Sequence, residues 1–204
     1  MPIKSALEIA LERTKDLKVD PKALAAAEAK QEGKRIAGEF LSKPEDFDFP
    51  AKFNALAKEK REAAKEGAFE VFTARIQLPT MADVNPEQEF ATIERGLKSL
   101  AAAGSGEKHI GEIFKQLGGF LKQYLEDAKK VDEAIRKQYA PRLKAKEQEM
   151  AARMGRAVRI DPMSDPEFAA FYKQNVGQMK AQYQAALDQA KEDLSSFCGV
   201  KEKA

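Results

Sequence analysis

Two of the side-chain types that most often supply a nucleophile, a base or a metal ligand each occur once in this chain of 204 residues, as His109 and Cys198. A single histidine makes the Glu-x-x-His pairs of di-iron bundles, the two-histidine zinc helix and the His/Cys zinc knuckle impossible within one chain. His109 follows Gly106 at the start of a long helical pattern, with Glu107 and Glu112 close by. A helix N-terminus there would lower its pKa and suit a general base. No nucleophile motif accompanies it, so it reads as a capping or surface histidine. Cys198 has no C-x-x-C partner and stands beside Phe197, which is the place of a packing residue at a helix end. As the sole cysteine it excludes an intrachain disulfide and fits a reducing compartment, so the cytoplasm is expected.

The 33 acidic residues produce chance pairs such as Glu87 with Glu94, and charged side chains are mostly solvated. Gly104-Ser105-Gly106-Glu107-Lys108 superficially resembles a phosphate loop but lacks the Walker spacing and a preceding strand. Neither G-x-G-x-x-G nor G-x-S-x-G occurs. No catalytic, cofactor-binding or metal-ligating set emerges from the sequence. Neither a cofactor nor a small-molecule substrate is expected.

Charge supplies the one local anomaly. The chain carries only +2, yet Lys129 to Arg159 holds ten basic residues against four acidic ones. On a helix turning 100° per residue, Arg142, Lys146, Arg153 and Arg156 fall within about 80° of one another, with Glu149 among them. Such a stripe suits an anionic partner, a nucleic acid or an acidic membrane surface. Against that, the basic face has no aromatic platform for single strands and no Trp or Phe to enter a bilayer. A basic helical face is commonly just a solvated one.

These residues need elements to hold them, and the composition favours helix throughout. Ala, Lys, Glu, Gln and Leu dominate, 33% of residues are charged, and there is no Trp. No strand is recognisable, and no run approaches the roughly 18 apolar residues that span a bilayer. Ile3, Leu7, Ala10, Thr14 and Leu17 predict an amphipathic helix over Pro2 to Leu17. Asp20-Pro21 is a cap followed by a pre-organised first turn, starting a helix that ends near Leu41. Gly33 and Gly38 within it each cost about 1 kcal/mol relative to Ala, or mark close helix contacts. Ser42 to Pro50 reads as a loop whose Phe47 and Phe49 plug into a core. One helix is expected from Ala51 to Leu78, stopped by Pro79. Asn85-Pro86-Glu87 starts another, with Phe90, Ile93, Leu97 and Leu100 on its apolar side.

Beyond Gly104-Ser105-Gly106 the apolar stripe becomes long. It runs through Leu117, Leu121, Val131, Ile135, Tyr139, Leu143, Met150 and Met154 as one helix up to Arg159, with bends expected at Gly118-Gly119 and Pro141. Asp165-Pro166-Glu167 starts a partner helix, whose Tyr172, Val176, Met179, Tyr183, Ala186, Ala190, Leu194 and Phe197 are near-heptad. A turn near residue 162 makes the two antiparallel. It would set Arg153 opposite Tyr172, Arg142 opposite Tyr183 and Lys130 opposite Asp193. Asp188, Glu192 and Asp193 would then neutralise Lys129, Lys130 and Arg136, leaving the outer basic stripe unmatched.

The expected fold is all-α: a single elongated domain over residues 1–198, built on a long antiparallel hairpin (107–198) with shorter helices (1–106) at its base and a flexible tail at 199–204. Leu143, Met150, Met154, Phe168, Phe171 and Val176 should either bury each other or meet another subunit, as in a homodimer. The expected function is a non-enzymatic interaction or scaffold protein with the hairpin as its contact surface. An anionic partner bound by Arg142, Lys146, Arg153 and Arg156 is the alternative.

Overall fold

A computed structural model describes residues 20–80, 86–101 and 104–200. The helix expected at Pro2 to Leu17, the cap residue Asn85 and the tail from residue 201 lie outside that range. Every regular element among the described residues is helical. The described residues form six α-helices, α1 (Pro21–Ser42), α2 (Phe49–Asn54), α3 (Lys58–Ala74), α4 (Pro86–Leu100), α5 (Ser105–Met154) and α6 (Pro166–Cys198), with a 3-10 turn at Pro162–Ser164 before α6. The protein is therefore all-α. Cα packing divides it into two compact units, Met1–Ala74 and Arg75–Ala204, whereas the sequence reading takes residues 1–198 as a single domain.

In the first unit α1 begins where its cap predicts, with the Asp20 carboxylate accepting from Lys22 N at 3.0 Å. Gly33 marks a close approach. A Cβ there would run into the carbonyl of Ala64, and one at Gly67 into the carbonyl of Lys30. Because 33 meets 64 while 30 meets 67, α1 and α3 cross antiparallel, backbone against backbone. Lys30 and Lys34 on α1 pair with Glu70 on α3 across this contact. Phe40, Phe49, Phe53 and Phe72 form an aromatic core, with Phe49 5.4 Å from Phe40 and 5.3 Å from Phe72 between ring centres.

The single helix expected over Ala51 to Leu78 is two helices. Asp48 caps α2 through Ala51 N, with Phe49 and Pro50 in the first turn. The chain leaves helix at Ala55, where Arg61 reaches back to the carbonyls of Asn54 and Leu56 at 2.6 and 3.0 Å. A guanidinium satisfying two helix-end carbonyls makes the break tolerable without glycine or proline. α3 ends at Ala74, before the proline expected to stop it.

In the second unit α4 packs on the first turns of α5 and the last turns of α6. Phe90 meets Phe114 at 5.0 Å, and the Cys198 thiol lies 3.8 Å from the Leu97 carbonyl oxygen. α5 runs 50 residues, about 75 Å at 1.5 Å per residue, and stays helical through Gly118-Gly119 and Pro141. It does not reach Arg159. Gly155, with φ at 65°, takes the left-handed conformation that glycine adopts without steric penalty and closes the helix after Met154. Pairs between α5 and α6 fall in one antiparallel series: His109 with Phe197, Tyr124 with Tyr183, Asp132 with Tyr172, Tyr139 with Phe168. On α6 Leu187 is fully buried where the near-heptad spacing predicts Ala186, which is exposed. At its far end Gly199 and Val200, expected in a flexible tail, donate to the carbonyls of Ser196 and Ser195 and cap the helix.

Candidate functional site

The register differs from expectation and changes the far end of the pair. Tyr172 faces Asp132 rather than Arg153, and Tyr183 faces Asp127 rather than Arg142. The cause is the connection. After Gly155 the chain runs back along α5 instead of turning at once, and Ile160 N donates to Glu147 Oε1 at 3.0 Å. The 3-10 turn follows, its Asp161 cap accepting from Met163 N. α6 therefore starts alongside Tyr139 and Lys146, leaving the last turns of α5 beyond it.

At that starting point sits a charged clasp whose Asp165 and Tyr139 are buried and whose Glu167 is exposed. Asp165 is 5% exposed. Its Oδ1 caps α6 by accepting from Glu167 N and Phe168 N, both at 3.0 Å, with the Tyr139 hydroxyl 3.2 Å away. Its Oδ2 takes Lys146 Nζ at 2.7 Å, and Glu167 Oε2 completes the ring at 2.9 Å from Lys146 and 3.1 Å from Tyr139. Lys146 hydrogen-bonds hold the Asp165 carboxyl down at about 2, helped by the Phe168 N–H. The same pairing lowers Glu167 and raises Lys146. Burial, followed by the two carboxylates, raises Tyr139. Each shift moves a titration further from pH 7, the reverse of what general acid–base chemistry needs, and Tyr139 stays uncharged beside its charged partners. The clasp is built to stay charged, and it fixes where α6 begins.

Two more tyrosines extend this pattern down the pair. Tyr172 donates to Asp132 at 3.0 Å and Tyr183 to Asp127 at 2.7 Å. The Asp127 carboxylate, aided by burial, pushes Tyr183 up to about 12, while Tyr172 is raised by burial first and Asp132 second. Asp127 and Asp132 also hold Lys130 and Arg136, so the expected pairing of those cations with Asp193 and Asp188 does not form. Asp188 and Asp193 instead accept from Gln184 and Gln189. Below Tyr172 a shallow groove lined by Asp127, Lys130, Asn175, Gln178, Gln182 and Tyr183 together with the apolar Val131 and Met179 mixes polar and apolar surface and gathers no set of reactive groups.

The four stripe residues meet different fates. Lys146 is bound in the clasp, which corrects the expectation of an unmatched outer stripe: a carboxylate pair that the expected register placed elsewhere lies beside it. Arg153 pairs with Glu149 at 2.6 Å on an exposed turn, where such a pair adds little stability. Arg142 lies 5.9 Å over the Tyr139 ring. Arg156 is exposed past the helix end with no ion pair among the described residues. Of the six apolar candidates, Leu143, Phe168, Phe171 and Val176 pack together with Ile135 and Tyr139. Met150 and Met154 join no such cluster and are 41% and 50% exposed. His109 and Cys198 occupy structural places, the imidazole stacked 4.6 Å from Phe197 with Nδ1 2.6 Å from the Ser105 carbonyl oxygen, and the thiol buried.

Fold and site define an all-α protein with a charged clasp at the start of α6 and, beyond it, an end of α5 that exposes two methionines. The chain belongs to a family of unknown function (DUF6657), whose profile matches residues 50–196. No curated protein and no solved structure matches it. Among the described residues no helix is long and apolar enough to cross a membrane, and no three His, Cys, Asp or Glu side chains converge as a metal site would require.

Proposed function

We propose that this is a non-enzymatic interaction protein whose contact surface is the end of the α5–α6 pair around Met150, Met154 and Met163. One observation carries the reading. Among the described residues the large hydrophobics left exposed are Leu24, Met150, Met154 and Met163, and three of these four bracket a single connection. Scattered exposed side chains mean little, whereas exposed methionines gathered on both sides of one connection suit a binding surface. Methionine suits it, because a flexible thioether repacks against varied partners. A second copy of this chain is one form the partner can take.

A photo-crosslinking residue at Met154, compared with one at the exposed Gln116, tests this in the cell of origin. Discrete protein adducts from position 154 that disappear with Met150→Lys are expected. Equal labelling from both positions, or none, contradicts the proposal. A nucleic acid or anionic membrane is the less supported partner, since Lys146 and Arg153 already hold carboxylates and only Arg142 and Arg156 of the stripe stay unpaired.

A further inference from the structure

If that contact surface is taken as the starting point, the chemistry of the α5 end selects its occupant. At 100° per residue, Tyr139, Leu143, Met150 and Met154 lie within about 60° of one another on α5. The lower part of this face receives a helix: Tyr139 and Leu143 pack with Phe168, Phe171 and Val176 of α6. The upper part continues the same stripe past the start of α6, where among the described residues no helix covers Met150 and Met154, which are 41% and 50% exposed. The face is thus already a helix-accepting one, left open for its last two turns.

The charges around the opening are unequal in availability rather than in number. Of its carboxylates, Glu149 pairs with Arg153 and Asp165 shares Lys146 with Glu167, while Glu147 and Asp161 accept only from the backbone N–H groups of Ile160 and Met163 and keep their charge. Arg142, Lys144, Arg156 and Arg159 are exposed and have no carboxylate partner among the described residues. Four cations without a carboxylate partner against two carboxylates without a cation partner leave a cationic excess flanking the apolar strip. Two copies meeting end to end would set these cations against each other, and like charges across an interface are costly.

We infer that this end of α5 receives an amphipathic helix of a partner protein that is acidic along its flanks, its apolar anchors seated on Met150, Met154 and Met163 and its carboxylates on the four free cations. Helix-in-groove recognition reads anchors at i, i+3/i+4 and i+7, and steered charge pairing makes such binding salt-sensitive.

The test uses the full chain with ¹³C-labelled methionine methyls and three synthetic helical peptides of one length. One has leucines at helical spacing with glutamates on the flanks, the second replaces glutamate by lysine, and the third scrambles the first. Phosphatidylglycerol vesicles form a fourth arm. The periodic acidic peptide should bind on the order of tenfold more tightly than either control, a difference of about 1.4 kcal/mol. It should shift the Met150, Met154 and Met163 methyls while leaving Met179 unchanged. Changing Arg142, Lys144, Arg156 and Arg159 together to Gln should remove that preference. Equal binding of the three peptides, binding of vesicles alone, or shifts that appear with self-association and no peptide would each overturn the acidic helix. If cross-linking from position 154 succeeds all the same, the contact surface stands and only this occupant falls. If that fails too, both fall.

Discussion

Asp165 caps a helix, binds a lysine on another helix and accepts from a tyrosine, so three separate structures depend on its staying ionised. Its carboxyl titrates at about 2, below the ordinary carboxylate value near 4. A depressed folded-state pKa gives stability that is fully present above the unfolded value and is lost as pH falls through the folded one. The clasp should therefore hold at neutral pH and weaken between about pH 4 and 2. Asp165→Asn should lower the melting temperature at pH 7, and the gap from the parent should close by about pH 2; a constant gap would contradict the clasp. Tyr183 runs the other way. Its raised pKa of about 12 gives stability present below pH 10 and lost as pH climbs from 10 to 12. Tyr183→Phe should thus be less stable than the parent at pH 8, with the difference vanishing by pH 12 in denaturant titrations.

Among elements, the glycines give the sharpest contrast. Gly67→Ala forces a methyl into the Lys30 backbone and should cost about 1–3 kcal/mol in urea unfolding. Gly38 has open space around its missing Cβ, so Gly38→Ala should add about 0.4–1 kcal/mol. On α6, Leu187→Ala should cost about 2–5 kcal/mol through a buried cavity, whereas Ala186→Ser at the neighbouring exposed position should change little. Helix identity and the cap-proline starts at Asp20-Pro21 and Asp165-Pro166 were readable because each is a local preference. The same kind of start at Asp48-Phe49-Pro50 is harder to see with proline one place later. The break after Asn54 carries no glycine or proline, since Arg61 supplies the cap. Gly155 is an ordinary helix stop, masked by an apolar stripe that reaches Met154 and a basic run that continues past it.

At the level of the whole molecule, register was the part hidden from the sequence. It rests on Tyr139, Tyr172 and Tyr183 finding carboxylates on the opposite helix and on a connection that doubles back to Glu147. Periodicity ranks faces but is silent on axial offset. That offset of α6 along α5 decides the candidate site: it gives Lys146 a partner and leaves Met150 and Met154 without one. The family match over residues 50–196 takes in the clasp, the doubled-back connection and the open face together. The proposed contact requires that face to be open in the isolated chain. Mild peroxide oxidation of the dilute protein, with each methionine sulfoxide followed by mass spectrometry, reads this directly, because oxidation follows exposure. Met150, Met154 and Met163 should oxidise together and clearly faster than the half-buried Met179. If all four oxidise at one slow rate, the end of α5 is covered and the proposed surface does not exist.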